Sequence, residues 1–484
     1  MEGAAGGHDN RNASTKSLTA WQTNLEEEKC ALLSAVGSAD GKQNEECEEA
    51  VMFPGGGCNV VSAVNGAPAI SVFPAKVGYF GYYFALGSVI AFYGVIFTSK
   101  GMSPSHIGLL LSFTPLANTV LFPTVTYIAD RFQCSSHILV MCCIASSFFT
   151  AVFLLSNTTV AALISFHLLV VTRSPISPLL DQHTLSIFPK EGRVKDWGAL
   201  RSFGALGWGV GSAVSATTVD LTSTWALASF LFAAGQVGVL YCVLRSKPYE
   251  VVERTPMQFH EVFLFVLHHR RLLLFLTASC FMGAGFALVN NFLFVFLETL
   301  GGSKVLMGLS LALTVSTEIP IFQNAKYFQE LFTDRQMLSI SMATWMLRVV
   351  GYSLLQNPWL VLLLEPLHGI TFGFTWLPGV HIVNTVFPPN LSNSATGFLY
   401  FFVNGIGPIT GSVLGGAIYE WLGPRVMFRA AAFVVFCVLV LFVFLDRYLE
   451  KEEAVSATAG DTLACTTDAV VAGEVRLSGE SERC

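Results

Sequence analysis

The stretch RLLLFLTASCFMGAGFALVNNFLFVFL, residues 271–297, holds 27 residues and a single charge, Arg271, at its head. An apolar run of about 20 residues is long enough to cross a ~30 Å hydrocarbon core as a helix. Lipid offers no water to the backbone, so a segment that spans it must satisfy its own N–H and C=O groups, as a helix does. Runs of the same kind precede this one at about 77–98, 106–128, 136–156, 159–180, 199–219 and 222–244, and others follow at about 305–328, 336–356, 359–383, 394–418 and 424–445. The composition agrees: 53% of the 484 residues are hydrophobic and 12% charged, against roughly 25% charged in a soluble domain. The fold class expected is all-α, a polytopic membrane protein with twelve transmembrane helices.

The longest connection within this region, 245–270, divides the runs six and six, so two pseudo-symmetric six-helix bundles are expected at 76–244 and 271–445. Residues 1–75 and 446–484 carry charges of −6 and −5, which leaves the core at +5 although the whole chain is −6. Acidic ends rich in Gly, Ser and Asn without apolar periodicity read as disordered tails, and nothing in the charge distribution points to nucleic acid. Residues 1–75 lack a basic segment followed by an apolar one, so no cleaved leader is expected. The eleven cysteines contain no C-x-x-C pattern and read as small packing residues, with no metal or cofactor implied. Arg131, Lys190, Arg193, Lys195, Arg245, Lys247, Arg254, Arg270, Arg271, Lys326 and Arg335 fall in connections on one side, against Lys100, Lys304 and Arg425 on the other. The excess of positive charge places the first side, and with it both termini, in the cytoplasm.

Glycines repeat every four residues at Gly407, Gly411 and Gly415 and at Gly207 and Gly211, a spacing that lets helix backbones approach closely, in a static contact or in a moving one. Prolines inside the runs, among them Pro175, Pro320, Pro366, Pro378 and Pro408, interrupt helices and favour a protein that moves.

Ionisable residues at membrane depth are costly and mark function by default. The eighth run contains Glu318, the ninth Arg348, and the tenth Glu365 and His368. Counting at ~1.5 Å per residue sets Glu318 and Arg348 nearly level and Glu365 and His368 somewhat nearer the outer face, within reach of an arginine side chain. Glu365 and His368, three apart, share a helix face, and Trp376 returns to within about 20° of Glu365. Low dielectric favours the neutral form of a carboxyl and a nearby guanidinium favours the charged one, so an acid between them takes and releases a proton as its surroundings change. The alternative is a permanent Glu–Arg clamp that fixes the bundle. On the first run Tyr79, Tyr82, Tyr83 and Tyr93 fall within about 100° of arc, a stripe that suits a substrate cavity or, for Tyr79, interfacial anchoring. Asn290, Asn291 and Asn404 add amides, and Arg173 and Asp181 add charges in the fourth run.

Four segments carry a resemblance. IADRF at 128–132 is similar to the core of the loop motif of the major facilitator superfamily, with Thr126 where a glycine is usual and without the basic residues that follow. DWGALRSFGALGWGVG at 196–211, TEIP at 317–320 and EPLHGITFGFTW at 365–376 resemble the branch that contains lactose permease, nucleoside/proton symporters, phenylpropionate permease and animal major facilitator domain-containing proteins. The resemblance covers about 370 residues and implies a secondary transporter, not an enzyme, that couples a small organic solute (sugar, nucleoside or aromatic acid) to a proton. It implies proton coupling at Glu318, Arg348, Glu365 and His368, since lactose permease draws an acid, an arginine and a His/Glu pair from helices 8, 9 and 10, there in the order His-x-x-Glu. Tyr82, Tyr93, Asn290, Asn291, Trp376 and Asn404 are the expected substrate contacts, and Asp130, Arg131, Asp181, Arg201, Gly407 and Gly411 the expected gating and structural residues. A uniporter, and a receptor or scaffold that keeps the fold without transport, are the alternatives. EKCALL at 28–33 resembles an acidic dileucine signal, with Glu28, Leu32 and Leu33 read by sorting machinery, so an endosomal, lysosomal or vacuolar membrane stands beside the plasma membrane as the location.

Overall fold

The computed structural model describes residues 72–132, 134–187, 193–246, 259–387 and 397–480. Glu28, Leu32 and Leu33, and nearly all of the acidic N-terminal segment, lie outside the described residues. Each of the twelve apolar runs coincides with a helix: α1 (Phe73–Ser99), α2 (Pro104–Arg131), α3 (Ser135–Leu155), α4 (Thr159–Leu185), α5 (Arg193–Thr222), α6 (Ala226–Arg245), α7 (Arg270–Thr299), α8 (Lys304–Gln323), α9 (Asp334–Leu354), α10 (Leu367–Thr385), α11 (Gly397–Leu422) and α12 (Pro424–Glu480). Ten of them, all but α5 and α10, are long and apolar enough to cross a membrane by length and composition. Local chemistry sets several of the ends. Ser303 accepts from Leu306 N to cap α8, and Thr333 and Gln336 form a reciprocal capping box on α9. Gly101 and Gly301 take positive φ (78° and 79°) in the α1–α2 and α7–α8 turns, the same place in each set of six, where a side chain would be strained.

Within the first set, α1 packs on α5 and α6, and α3 on α4 and α6; within the second, α7 packs on α11 and α12, and α9 on α10 and α12. The sets meet through α5 on α8, α2 on α11 and α1 on α7. Those contacts close the end that holds the α1–α2, α5–α6, α7–α8 and α11–α12 turns, called the upper end below. A Cβ on Gly108 would strike the Ser412 carbonyl, one on Gly416 the Pro104 carbonyl, and one on Gly94 the Asn291 carbonyl. Two carboxylates add polar ties across the sets. Asp220 on α5 accepts from Lys304 N (3.0 Å) and Val305 N (2.8 Å) at the start of α8, and Glu420 on α11 accepts from Ser105 N (2.9 Å) at the start of α2. An acid at a helix N-terminus satisfies orphan N–H groups and the helix dipole together.

Three segments differ from the sequence expectation. The tenth run is not one helix from its start: Pro358–Leu363 forms a 3-10 turn and α10 begins at Leu367, so Glu365 sits in the turn ahead of α10 and not on its face. Pro366, without an N–H, is placed at the N-cap, where none is needed. The connecting segment includes a helix, Phe259–His268, because Val262 and Val266, four apart, bury against Leu272, Leu276 and Phe398. α12 continues through the acidic segment read as a tail. Its acids meet the basic ends of α7 and α9: Asp446 pairs with Arg271 (3.3 Å) and Arg335 (2.9 Å), and Glu452 with Arg270 (3.4 Å).

Three helices are interrupted. α1 narrows to a 3-10 turn at Ile90–Phe92, and α4 breaks between Arg173 and Ile176, at Pro175. α11 widens to a π turn at Phe401–Ile406, just before Pro408, which brings no N–H to the carbonyl of Asn404. The Gly407–Gly411–Gly415 stripe is used inside the second set. Gly407 lies against the Cys280 carbonyl, Gly411 against that of Ala284, and Gly415 against Phe292 on α7. Gly411→Leu is therefore expected to wedge α7 from α11 and lower the apparent Tm of detergent-solubilised protein by the equivalent of about 1–3 kcal/mol or more. Gly209→Ala, whose added Cβ meets α8 at an ordinary 3.7 Å, leaves Tm within the usual scatter of surface changes.

Candidate functional site

Arg348 lies six residues from the end of α9, and its side chain is 3% exposed. Its Nη2 donates to Glu365 Oε2 at 2.8 Å, and its Nη1 to His368 Nδ1 at 2.9 Å. A guanidinium has only donors, so Nδ1 is the acceptor and the His368 proton sits on Nε2. Tyr352, one helical turn beyond Arg348, donates from its hydroxyl to Glu365 Oε1 at 2.7 Å. Each Glu365 oxygen thus has a donor, and the carboxylate side chain is 2% exposed. The break ahead of α10 brings the acid across to α9 while His368, at the start of α10, takes the second guanidinium edge. Arg348, Glu365 and His368 form one constellation, as their residue types and depths anticipate, although Glu365 and His368 do not share a helix face.

From His368 an aromatic column descends α10. The His368 and Phe372 rings stack 5.7 Å apart, Phe372 and Trp376 stack at 6.4 Å, and Trp376 meets Tyr400 edge-on at 4.8 Å. Phe286 on α7 touches both His368 and Phe372. Tyr352 and Phe372 were missed in the sequence, yet each stands four residues from a chosen residue, Arg348 or His368, and so on the same helix face. Glu318 is not part of the constellation. It is half-buried on α8, with no hydrogen-bond or ion-pair partner among the described residues.

The other candidates are scattered. Asn291 donates to Ser412 Oγ at 2.8 Å and ties α7 to α11, while Asn290 and Asn404 are exposed. Tyr82 and Tyr93 are buried, and Tyr93 packs on Phe97, Phe153 and Phe166. Asp181 accepts a 2.6 Å hydrogen bond from Tyr79, so it joins α4 to α1. Arg131 is exposed at the end of α2, and the side chains of Asp130 and Arg201 lie outside the described residues. Among the described residues no cluster of three or more His, Cys, Asp and Glu is placed to hold a metal ion.

Comparison with known proteins gives a consistent outcome. A model of the MFS_1 like family matches residues 73–430. Two vertebrate proteins are similar in part: the major facilitator superfamily domain-containing protein 6-like protein A of Xenopus laevis is 24% identical over 175 residues, 36% of this chain and 29% of that protein. The corresponding 6-like protein of Mus musculus is 27% identical over 187 residues, 38% and 32% of the two chains. The matches thus span about a third of these relatives' length. Among solved structures, the nucleoside transporter NupG superposes with a TM-score of 0.66 at 17% identity, over 77% of this chain and 98% of that one. A bacterial homolog of the human lysosomal transporter Spinster superposes at 0.59 and 13% identity, over 78% and 97%.

The buried pair sets an energetic expectation. Removing one partner leaves the other charge unmatched at a cost of about 3–5 kcal/mol, whereas replacing both with apolar groups is far less harmful. Glu365→Gln should lower the apparent Tm more than Tyr352→Phe, and adding Arg348→Met to Glu365→Gln should restore part of the loss. A thermal double-mutant cycle on purified protein reads this directly, and additive losses would show that the pair is not coupled.

Proposed function

The chain belongs to the MFS_1 like family and carries a transporter fold, and from that premise we propose that it is a proton-coupled symporter of a small organic solute working by alternating access. The observation that carries this reading is the set of ionisable side chains on α8, α9 and the start of α10, inside helices that are otherwise apolar. Charge at such depth is expensive and persists where it has work to do.

The two acids are unequal. Glu365 has its charge matched by Arg348 and a second donor in Tyr352. Glu318 has neither, so a proton is what can neutralise it within the bilayer. Glu318 is therefore assigned the transported proton, and the Arg348–Glu365–His368 constellation holds α9 to α10 and presents the aromatic column to the solute. Phe372 and Trp376 offer flat apolar faces, which suit a solute with a ring.

The bias of basic residues makes the upper end the non-cytoplasmic one and both termini cytoplasmic, in the plasma membrane or an endosomal, lysosomal or vacuolar membrane. The structure is then the state closed to the outside. Asp220 and Glu420, each bound to the first turn of a helix in the other set, are suited to latch that state, and the six-helix sets rock by releasing them. A ligand shifts such a balance only by binding one state better than the other, and protonation of Glu318 supplies a difference of that kind. The alternative of a scaffold without transport is favoured by the buried 2.8 Å Arg348–Glu365 pair, which is also the geometry of a fixed clamp.

Proteoliposome uptake separates these readings. A pH gradient should drive accumulation of at least one solute from a panel of sugars, nucleosides and aromatic acids. Glu318→Gln should abolish accumulation, by at least tenfold, while equilibrium exchange of the same solute continues. Accumulation undiminished in Glu318→Gln would remove the proton from that residue, and absence of any uptake from the whole panel would favour the scaffold.

A further inference from the structure

A second buried charge lies away from this constellation. Arg173 is the last residue of the upper part of α4, about 21 Å along the helix from Thr159, and it is 7% exposed. Neither its Nε nor its Nη2 has a hydrogen-bond partner, and no acid pairs with it among the described residues. The acid of the same helix, Asp181, is held by the Tyr79 hydroxyl at 2.6 Å. Arg348, by contrast, is neutralised by Glu365 at 2.8 Å. A guanidinium withdrawn from water without a countercharge costs several kcal/mol, a cost that an anion arriving from outside the chain would offset.

A second polar group in the first set is likewise buried without a partner among the described residues. The Tyr93 hydroxyl on α1 has no hydrogen-bond partner among the described residues, while its ring packs on Phe97, Phe153 and Phe166. Two helix breaks adjoin these residues in the chain: the 3-10 turn Ile90–Phe92 runs directly into Tyr93, and the α4 break follows directly after Arg173. Broken helices at mid-membrane are where transporters bind their solutes, because backbone freed from the helix needs a partner or a cavity.

We propose that Arg173 anchors the carboxylate of an organic monoanion, which makes the transported solute a monocarboxylate. Nε and Nη2 form one edge of the guanidinium, two parallel N–H groups that match the two oxygens of a carboxylate. One carboxylate balances one arginine. A phosphate monoester would bring a second negative charge into the same buried place, and the hydroxyls of a sugar or nucleoside would leave the arginine unbalanced. This assignment rests on the transporter reading and names its substrate class.

Thermal stabilisation of the purified full chain by benzoate, phenylacetate and butyrate tests it, with benzamide, phenylacetamide and butyramide as neutral isosteres. Phenyl phosphate, uridine and lactose complete the panel, since binding to the folded state raises apparent stability. At least one carboxylate should bind ten times or more tightly than its amide and than phenyl phosphate. Arg173→Gln should lose at least tenfold of that affinity, with Arg173→Lys in between. Equal binding of acid and amide, undiminished binding to Arg173→Gln, or no stabilisation by any of the three carboxylates overturns the proposal. The acid-to-amide comparison is made on the unaltered chain and stands even if a variant fails to fold. Uridine or lactose binding and exchanging while the carboxylates do not would sink the anion site and leave the transporter reading intact. A carboxylate that binds through Arg173 without counterflow in proteoliposomes would do the reverse.

Discussion

The contact between Arg348 and Glu365 is the constraint around which the second set of helices is arranged. A guanidinium and a carboxylate at 2.8 Å, each almost wholly withdrawn from solvent, cannot both be left in an apolar helix bundle unless they meet and their remaining hydrogen-bonding capacity is used. The chain meets most of that demand by ending the 3-10 turn at Leu363, placing Glu365 ahead of α10 and setting Tyr352 one turn from Arg348, while Arg348 Nε stays buried without a partner. His368 takes the other guanidinium edge, and its ring starts the aromatic column that follows α10 downward. Position, charge and ring orientation in this region all follow from one ion pair.

The joints between the two sets are of another kind. Inside a set, glycine stripes such as Gly407–Gly411 let α11 lie on α7 over several turns. Across the sets the close approaches gather at the upper end, at Gly108 against Ser412, Gly416 against Pro104 and Gly308 against Ser212 and Ala216. The polar ties there are exposed carboxylates on helix N-termini, at Asp220 and Glu420. Such ties are exposed to solvent and weakened by screening, so they can be made and broken in a cycle. Close backbone packing thus occurs both within and across the sets, and the exposed carboxylate ties are the lighter fastenings between them.

Much of this was legible in the chain. Twelve apolar runs locate twelve helices because lipid leaves the backbone no other regular solution. Arg348, Glu365 and His368 could be placed together because charge is rare at depth and helix rise fixes depth. Helix phase was less secure around proline: Pro366 moves Glu365 off α10, so its meeting with Arg348 comes from a turn. Tyr93 shows a second limit, since a stripe on a helix surface does not say whether it faces a cavity or, as here, Phe153 and Phe166. The acids at 446–452 read as tail because their partners, Arg270, Arg271 and Arg335, lie far away in the chain. Arg173 was visible as a charge, but only the fold shows that it lacks a countercharge among the described residues.

Opening of the upper end separates a transporter from a rigid scaffold. Leu221 on α5 and Trp421 on α11, each 80% exposed at that end, are suitable positions for spin labels on introduced cysteines. Electron–electron resonance distances between them, measured in lipid nanodiscs, should show two populations whose ratio shifts toward the longer distance when Asp220→Asn and Glu420→Gln are introduced. A single distance, unchanged by those substitutions and by pH, would contradict alternating access and leave the protein a rigid scaffold.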